Sequence, residues 1–327
     1  MEEWLGFNPD KKLLRREQDN RFPAGNHDCV THDGIIGPEI DFSPLIYLQF
    51  TRFKCGGMAI GVTWSHILGD PISVFAFINV WIHLLDGRTP PEYRSPGKAP
   101  PPPFSSRNVP PLGKMVTTAD NCWKQAAGCI MASRSFHFNP KELDTLFSDV
   151  ISSSGEHRLS YFQAISAFLW KLVAKTSCDS NLNSAIICTV SSGNRTSEGA
   201  GNIMKWSKVD TIFPVEDIDL RDLAAKIGEK QGEDGLTFRD EAFCSESGNL
   251  HRVVYGSLLT FVDLEEEDFY EMELRGHKPL FVNYMIDGVD ENGTVLLLRG
   301  PDGGRTINLI FPKERLEKIA TLERPCL

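Results

Sequence analysis

The stretch Phe42-Ser-Pro-Leu-Ile-Tyr-Leu-Gln-Phe-Thr-Arg-Phe-Lys-Cys-Gly-Gly-Met-Ala-Ile-Gly-Val-Thr-Trp-Ser-His-Ile-Leu-Gly-Asp70 decides the fold. Residues 44–52 are dominated by β-branched and aromatic side chains, and Met58 to Trp64 form a second apolar run. Between them stands Lys54-Cys55-Gly56-Gly57, a turn signal, so the pair predicts a β-hairpin. Asp70-Pro71 then opens a helix, with Val74, Phe75, Phe77, Ile78, Trp81, Ile82 and Leu85 at helical spacing and Gly87 closing it. Aspartate suits the cap because its carboxylate takes an orphan N–H, and proline suits the next position because no donor is needed there. His66 therefore lies on a corner between a strand and a helix, where a side chain is held firmly while its tip stays reachable.

Outward from this unit, residues 88–113 carry nine prolines, including Pro100 to Pro103. Such a run packs neither as helix nor as central strand and reads as a semi-rigid connector. It divides the chain into an N-terminal part, 1–112, and a C-terminal part, 128–327, with the connector region over 88–127. In the second part Arg134-Ser-Phe-His-Phe138 reads as a strand and Pro140 starts a helix. Ser160 caps an apolar helix from Tyr161 to Lys175, and residues 185–190 read as a buried strand. The C-terminal portion reads as a β-meander, with runs at 253–263, 280–287, 294–299 and 306–311 parted by turns. Glu314 to Thr321 form a short last helix. The whole is mixed α/β.

The chain has 327 residues, 41% apolar and 24% charged, which is the balance of a globular protein with room for two cores. Its net charge of -10 opposes a nucleic-acid partner, which needs clustered Lys and Arg, and would be repelled by an anionic membrane surface. Eight cysteines without a Cys-x-x-Cys pair read as reduced thiols in a cytosol-facing protein. The start, Met1-Glu2-Glu3-Trp4, is not a signal peptide, and Val74 to Leu85 is too short to span a membrane.

Few residues carry chemistry. An imidazole at His66 suits a general base drawing a proton from an alcohol or amine that attacks a thioester. The same spacing suits a histidine that ends a strand and bonds a backbone carbonyl. Asp70 reads as a helix cap that steadies the turn aiming His66. His27, Asp28, Cys29 and His32 offer at most three good ligands where structural zinc wants four, so no metal site is expected. The acidic run Glu265-Glu-Glu-Asp268 reads as a solvated turn. No nucleophile elbow, phosphate loop or dinucleotide fingerprint is present.

The quoted stretch resembles the core of the plant BAHD (HxxxD-type) acyltransferases, and within them the eceriferum, or glossy, wax branch. A second match is Leu258-Leu-Thr-Phe-Val-Asp-Leu followed by Lys278-Pro-Leu-Phe-Val-Asn-Tyr284. The resemblance implies a two-domain, chloramphenicol-acetyltransferase-like fold with mixed sheets flanked by helices and a channel between the domains. It makes His66 the general base and Asp70 structural, with acyl-CoA as substrate and no bound cofactor. Active members carry Asp-Phe-Gly-Trp-Gly before a Lys-Pro; here those positions read Glu273, Leu274, Arg275, Gly276 and His277. The wax branch shares this loss, which implies an altered channel. The family's partner loop for that aspartate aligns with Ser192 to Thr196, so that Glu273 would face Arg195, and Gly201-Asn202 matches the family's Tyr-Phe-Gly-Asn. The family's opening strands and helices have no counterpart before Trp4, which implies an incomplete first domain with an unpaired sheet edge.

Two functions follow from the resemblance. One is acyl-CoA-dependent O- or N-acyl transfer through His66. The other is an accessory role beside the condensing enzyme of fatty-acid elongation, at the cytosolic face of the endoplasmic reticulum or in the cytoplasm, permitting very long acyl chains for cuticular wax.

Overall fold

The computed structural model describes residues 45–53, 56–66, 68–91, 115–116, 129–151, 159–176, 180–189, 201, 204–232, 236–237, 250–251 and 255–322. Two strands open it, β1 (Ile46–Arg52) and β2 (Met58–Trp64). They pair antiparallel with Ile46 opposite Trp64 and Arg52 opposite Met58, the hairpin the sequence predicts. Gly56, at φ 89, closes the loop with its N–H on the Phe53 carbonyl. Helix α1 (Pro71–Leu85) follows.

A seven-stranded mixed sheet forms the body of the molecule. In chain order its strands are β4 (Met131–Phe138), β5 (Ser184–Thr189), β6 (Lys205–Asp210), β7 (Leu236–Thr237), β9 (Leu259–Leu264), β10 (Thr294–Arg299) and β11 (Arg305–Pro312). Across the sheet the order is β4-β11-β10-β9-β5-β6-β7. The short strands β3 (Met115–Val116) and β8 (Leu250–His251) pair with each other apart from it.

Both faces of this sheet are covered, and the strands show it residue by residue. Successive side chains point to opposite faces. Phe261, Leu297 and Ile187 join a core beneath α2 (Pro140–Ile151), α3 (Tyr161–Thr176), α4 (Leu220–Gly232) and α5 (Lys313–Leu322). Their neighbours Val262, Leu296, Leu298, Ile186 and Cys188 join a second core on the other face. There Ile72 and Ile82 of α1 are buried, with Phe75, Ile78 and Trp81 packed beside them. Central strands buried on both sides read as continuous apolar runs, which is why 185–190 and 294–299 stand out in the sequence.

The C-terminal portion is not a meander. β9 and β10 run parallel, so residues 265–293 must cross over the sheet rather than turn back. Residues 280–287, expected as a strand, form no ladder. Val282, Tyr284 and Ile286 do face the second core at strand-like spacing. The polar groups between them are met by side chains instead: Ser135 Oγ donates to Asn283 Oδ1 at 3.2 Å, and Asn308 Nδ2 donates to the Tyr284 carbonyl at 2.9 Å. The period of two is real, but it marks an extended crossing over a sheet face. β6 and α4 have no counterpart in the sequence reading. The run expected as a strand over 253–263 is a strand only from Leu259, with residues 255–258 in a turn before it. The remaining expected elements of the second part stand within three residues of their predicted ends, and the Ser160 cap is joined by Gln163 in a capping box in which the two bond each other's backbone N–H. No helix among the described residues is long and apolar enough to cross a membrane.

Candidate functional site at the strand-to-helix corner

The corner runs from Ser65 to Asp70, between the end of β2 and the start of α1. Trp64 ties its two ends together, donating from Nε1 to the Gly69 carbonyl at 3.0 Å. Gly69 sits at φ 154, and a Cβ there would lie 2.5 Å from Ser73 Cβ, so only glycine fits.

Asp70 has no exposed surface. Its Oδ1 accepts from the backbone N–H of Ile72 (3.1 Å) and Ser73 (3.2 Å), capping α1. Its Oδ2 accepts from the N–H of Met204 at 2.7 Å. Ser73 adds a second link, its hydroxyl donating to the Gly201 carbonyl (2.7 Å) and accepting from the Gly201 N–H (2.9 Å). One carboxylate and one hydroxyl therefore fasten the start of α1 to the strand entry of β6.

His66 is half-buried on this corner. Its Nε2 lies 3.2 Å from the hydroxyl of Tyr255, with the rings 5.8 Å apart. Burial holds the Tyr255 hydroxyl well above the ordinary phenol value, and the nearby Cys188, Tyr284 and Asp70 push the same way. That hydroxyl stays protonated through the physiological range and is a hydrogen-bond donor. Where it donates to Nε2, the imidazole proton resides on Nδ1 and the Nε2 lone pair is engaged. Cys188 is buried beneath, its thiol pushed up to about 12 by burial and by Asp70, so it is no nucleophile.

The five residues Glu273 to His277 lie at the other end of α1. Leu274 and His277 exchange backbone hydrogen bonds, each at 3.0 Å, with Arg275 at φ 53 and Gly276 at φ 78 between them. Positive φ at both central positions makes this a type I′ turn. It is fastened to the end of α1, the Arg275 N–H donating to the Asp86 carboxylate at 3.0 Å and the Arg88 guanidinium to the Glu273 carbonyl. The 15 residues of α1 separate Asp70 from Asp86, a rise of roughly 24 Å. The structure thus does not bring the altered stretch to His66 directly but to the far end of its helix.

Arg195, Asn202 and the His27–His32 cluster lie outside the described residues. Among those described, no three His, Cys, Asp or Glu side chains converge on a metal position. The acidic run is only partly solvated: Glu267 is buried, Asp268 caps a 3-10 turn and Glu265 pairs with Arg305. Tyr255, Ser73 and Met204 complete the corner and were not singled out from the sequence. Tyr255 sits within a run read as strand, 189 residues from its partner, with no local signal to connect them.

The sequence matches the Transferase family over residues 18–323. It is 31% identical to Protein ECERIFERUM 2 of Arabidopsis thaliana over 98% of this chain and 71% of that protein. It is 30% identical to Protein ECERIFERUM 26 of the same plant, again over 98% and 71%. Among solved structures, vinorine synthase superposes with a TM-score of 0.63 at 18% identity, covering 95% of this chain and 73% of that one. TRI101 of F. graminearum, complexed with coenzyme A and deoxynivalenol, superposes at 0.66 and 17% identity over 87% and 70%. These likenesses show the fold. A family match along nearly the whole sequence, with eceriferum relatives beside it, makes this chain a member of the BAHD (HxxxD-type) Transferase family, in its eceriferum branch.

Proposed function

We propose that this chain acts as an accessory to the condensing enzyme of fatty-acid elongation, at the cytosolic face of the endoplasmic reticulum, permitting very long acyl chains destined for cuticular wax. The observation that carries this reading is the engagement of His66. A general base needs the Nε2 lone pair free for the acceptor's proton, and in this chain Nε2 meets the hydroxyl of a buried tyrosine. The eceriferum relatives support the wax assignment. The coenzyme A complexes of TRI101 support acyl-CoA as the ligand class of a related fold.

The reading makes His66 dispensable. In yeast co-expressing this chain and a plant condensing enzyme, His66→Ala is expected to raise the yield of very long acyl chains as the wild type does, measured by gas chromatography of total fatty acids. Loss of that promotion in the variant, together with His66-dependent acyl transfer from acyl-CoA in vitro, would establish the acyltransferase instead.

A further inference from the structure

We propose that the turn between β6 and α4 carries a docking knob, Ile212 and Phe213, received by an apolar pocket edged with lysine and arginine on a protein partner. The inference rests on the accessory reading, for which it names the contact surface.

Ile212 and Phe213 are adjacent and 87% and 66% exposed. Single exposed apolar residues are ordinary, but two neighbours at one tip, one of them aromatic, are what an interface anchor looks like. Neither is exposed through slack in the chain. On one side, Thr211 is held by its N–H (2.8 Å) and its hydroxyl (3.2 Å) to the Asn183 carbonyl. On the other, Val215 is fully buried in the main core, and the turn after Pro214 is closed by the Asp217 N–H on the Pro214 carbonyl at 3.0 Å. The Lys171 ammonium donates to the Ile218 carbonyl just beyond. With both flanks pinned, the two side chains have no route back to the core, so the tip reaches a partner already ordered and loses little entropy on contact.

The charge around the tip states the partner's chemistry. Asp210, Glu216, Asp217, Asp219 and Asp222 are all exposed. Asp210 is offset by Lys208, 2.7 Å away, and by the nearby Lys226. Arg221, whose guanidinium donates to the Asp149 carbonyl, keeps its charge, so the excess negative charge of the collar rests on Glu216, Asp217, Asp219 and Asp222. An apolar tip within a carboxylate collar is repelled by anionic lipid. In a two-fold dimer through this tip the collar would face itself. It complements a basic surface, and the cytoplasmic loops of membrane enzymes carry an excess of Lys and Arg. The knob also lies at the far end of β6 from Met204, roughly 20 Å along the strand, so it is independent of the His66 corner.

The test uses the whole chain co-expressed in yeast with the condensing enzyme, comparing wild type, Ile212→Ser/Phe213→Ser and Glu216→Lys/Asp217→Lys. Both variants are expected to melt with the wild type, to co-purify at least tenfold less condensing enzyme from solubilised membranes, and to lose chain-length promotion. Wild-type promotion and co-purification retained in both variants would overturn the knob and leave the accessory role standing. A wild type that does neither would overturn the accessory role, and with it the assignment of this surface. Binding of the wild type to protein-free phosphatidylcholine vesicles, lost in the serine variant, would overturn the proposal in favour of lipid. A wild-type dimer that the serine variant dissociates would overturn it in favour of a second copy.

Discussion

A carboxylate that takes three backbone N–H groups and shows no surface to water binds two parts of the chain at once. Asp70 closes the first turn of α1 with one oxygen and holds Met204 with the other. Removing a cap costs about 1 kcal/mol, and leaving a buried N–H without an acceptor costs about 1–3 kcal/mol more. Asp70→Ala is therefore expected to lower unfolding free energy by about 3 kcal/mol in urea titration. Asp70→Asn separates the two roles, since its amide oxygen still caps the helix while its amino group confronts the Met204 N–H donor-to-donor. Asparagine should fall between wild type and alanine, and equal stability of all three would show that neither bond matters.

Helix α1 works as a strut pinned at both ends, and the two pins differ in what the sequence reveals. The first, Asp70-Pro71, is legible because cap and proline are neighbours and their effect is local. So is the hairpin before it, where turn chemistry and strand composition agree within twenty residues. The second pin, the turn from Leu274 to His277, reads from sequence only as a motif lost; its docking onto Asp86 depends on contacts 189 residues apart. β6 was missed for a related reason: its two apolar residues, Trp206 and Val209, are three apart and feed opposite cores, so no one-sided alternation appears. The turn itself makes a prediction. Arg275 is the one non-glycine residue with positive φ among those described, a conformation that costs L-residues about 1 kcal/mol. Arg275→Gly keeps the N–H that bonds Asp86 and removes the strain, so unfolding free energy should rise by about 0.5–1 kcal/mol, which for a chain of this length is about one degree in melting temperature. A fall would mean that the arginine side chain contributes a contact larger than the strain.

A sheet covered on both faces leaves little room for charge, and one half-buried acid near the end of its middle strand sets a pH dependence. Asp263, on β9, is held by the Glu265 N–H at 3.0 Å and approached by Gln231 Nε2 at 3.4 Å. Burial raises its carboxyl to about 7, with Glu265 and Glu266 adding repulsion and the Glu265 N–H and Arg305 opposing it. In the unfolded chain an aspartate releases its proton near 3.9. Between roughly pH 4 and 7 the folded protein thus binds a proton that the unfolded one has lost, so stability from this group falls as pH rises through that window and is spent above it. Asp263→Asn has the shape of the protonated acid at every pH. The variant and wild type should unfold at similar denaturant concentrations near pH 4.5. Near pH 8 the variant should be the more stable, by up to on the order of 3 kcal/mol. A variant weaker than wild type at pH 8 would mean that the ionised carboxylate is held there by Arg305 and the Glu265 N–H, with their attraction exceeding the cost of burial.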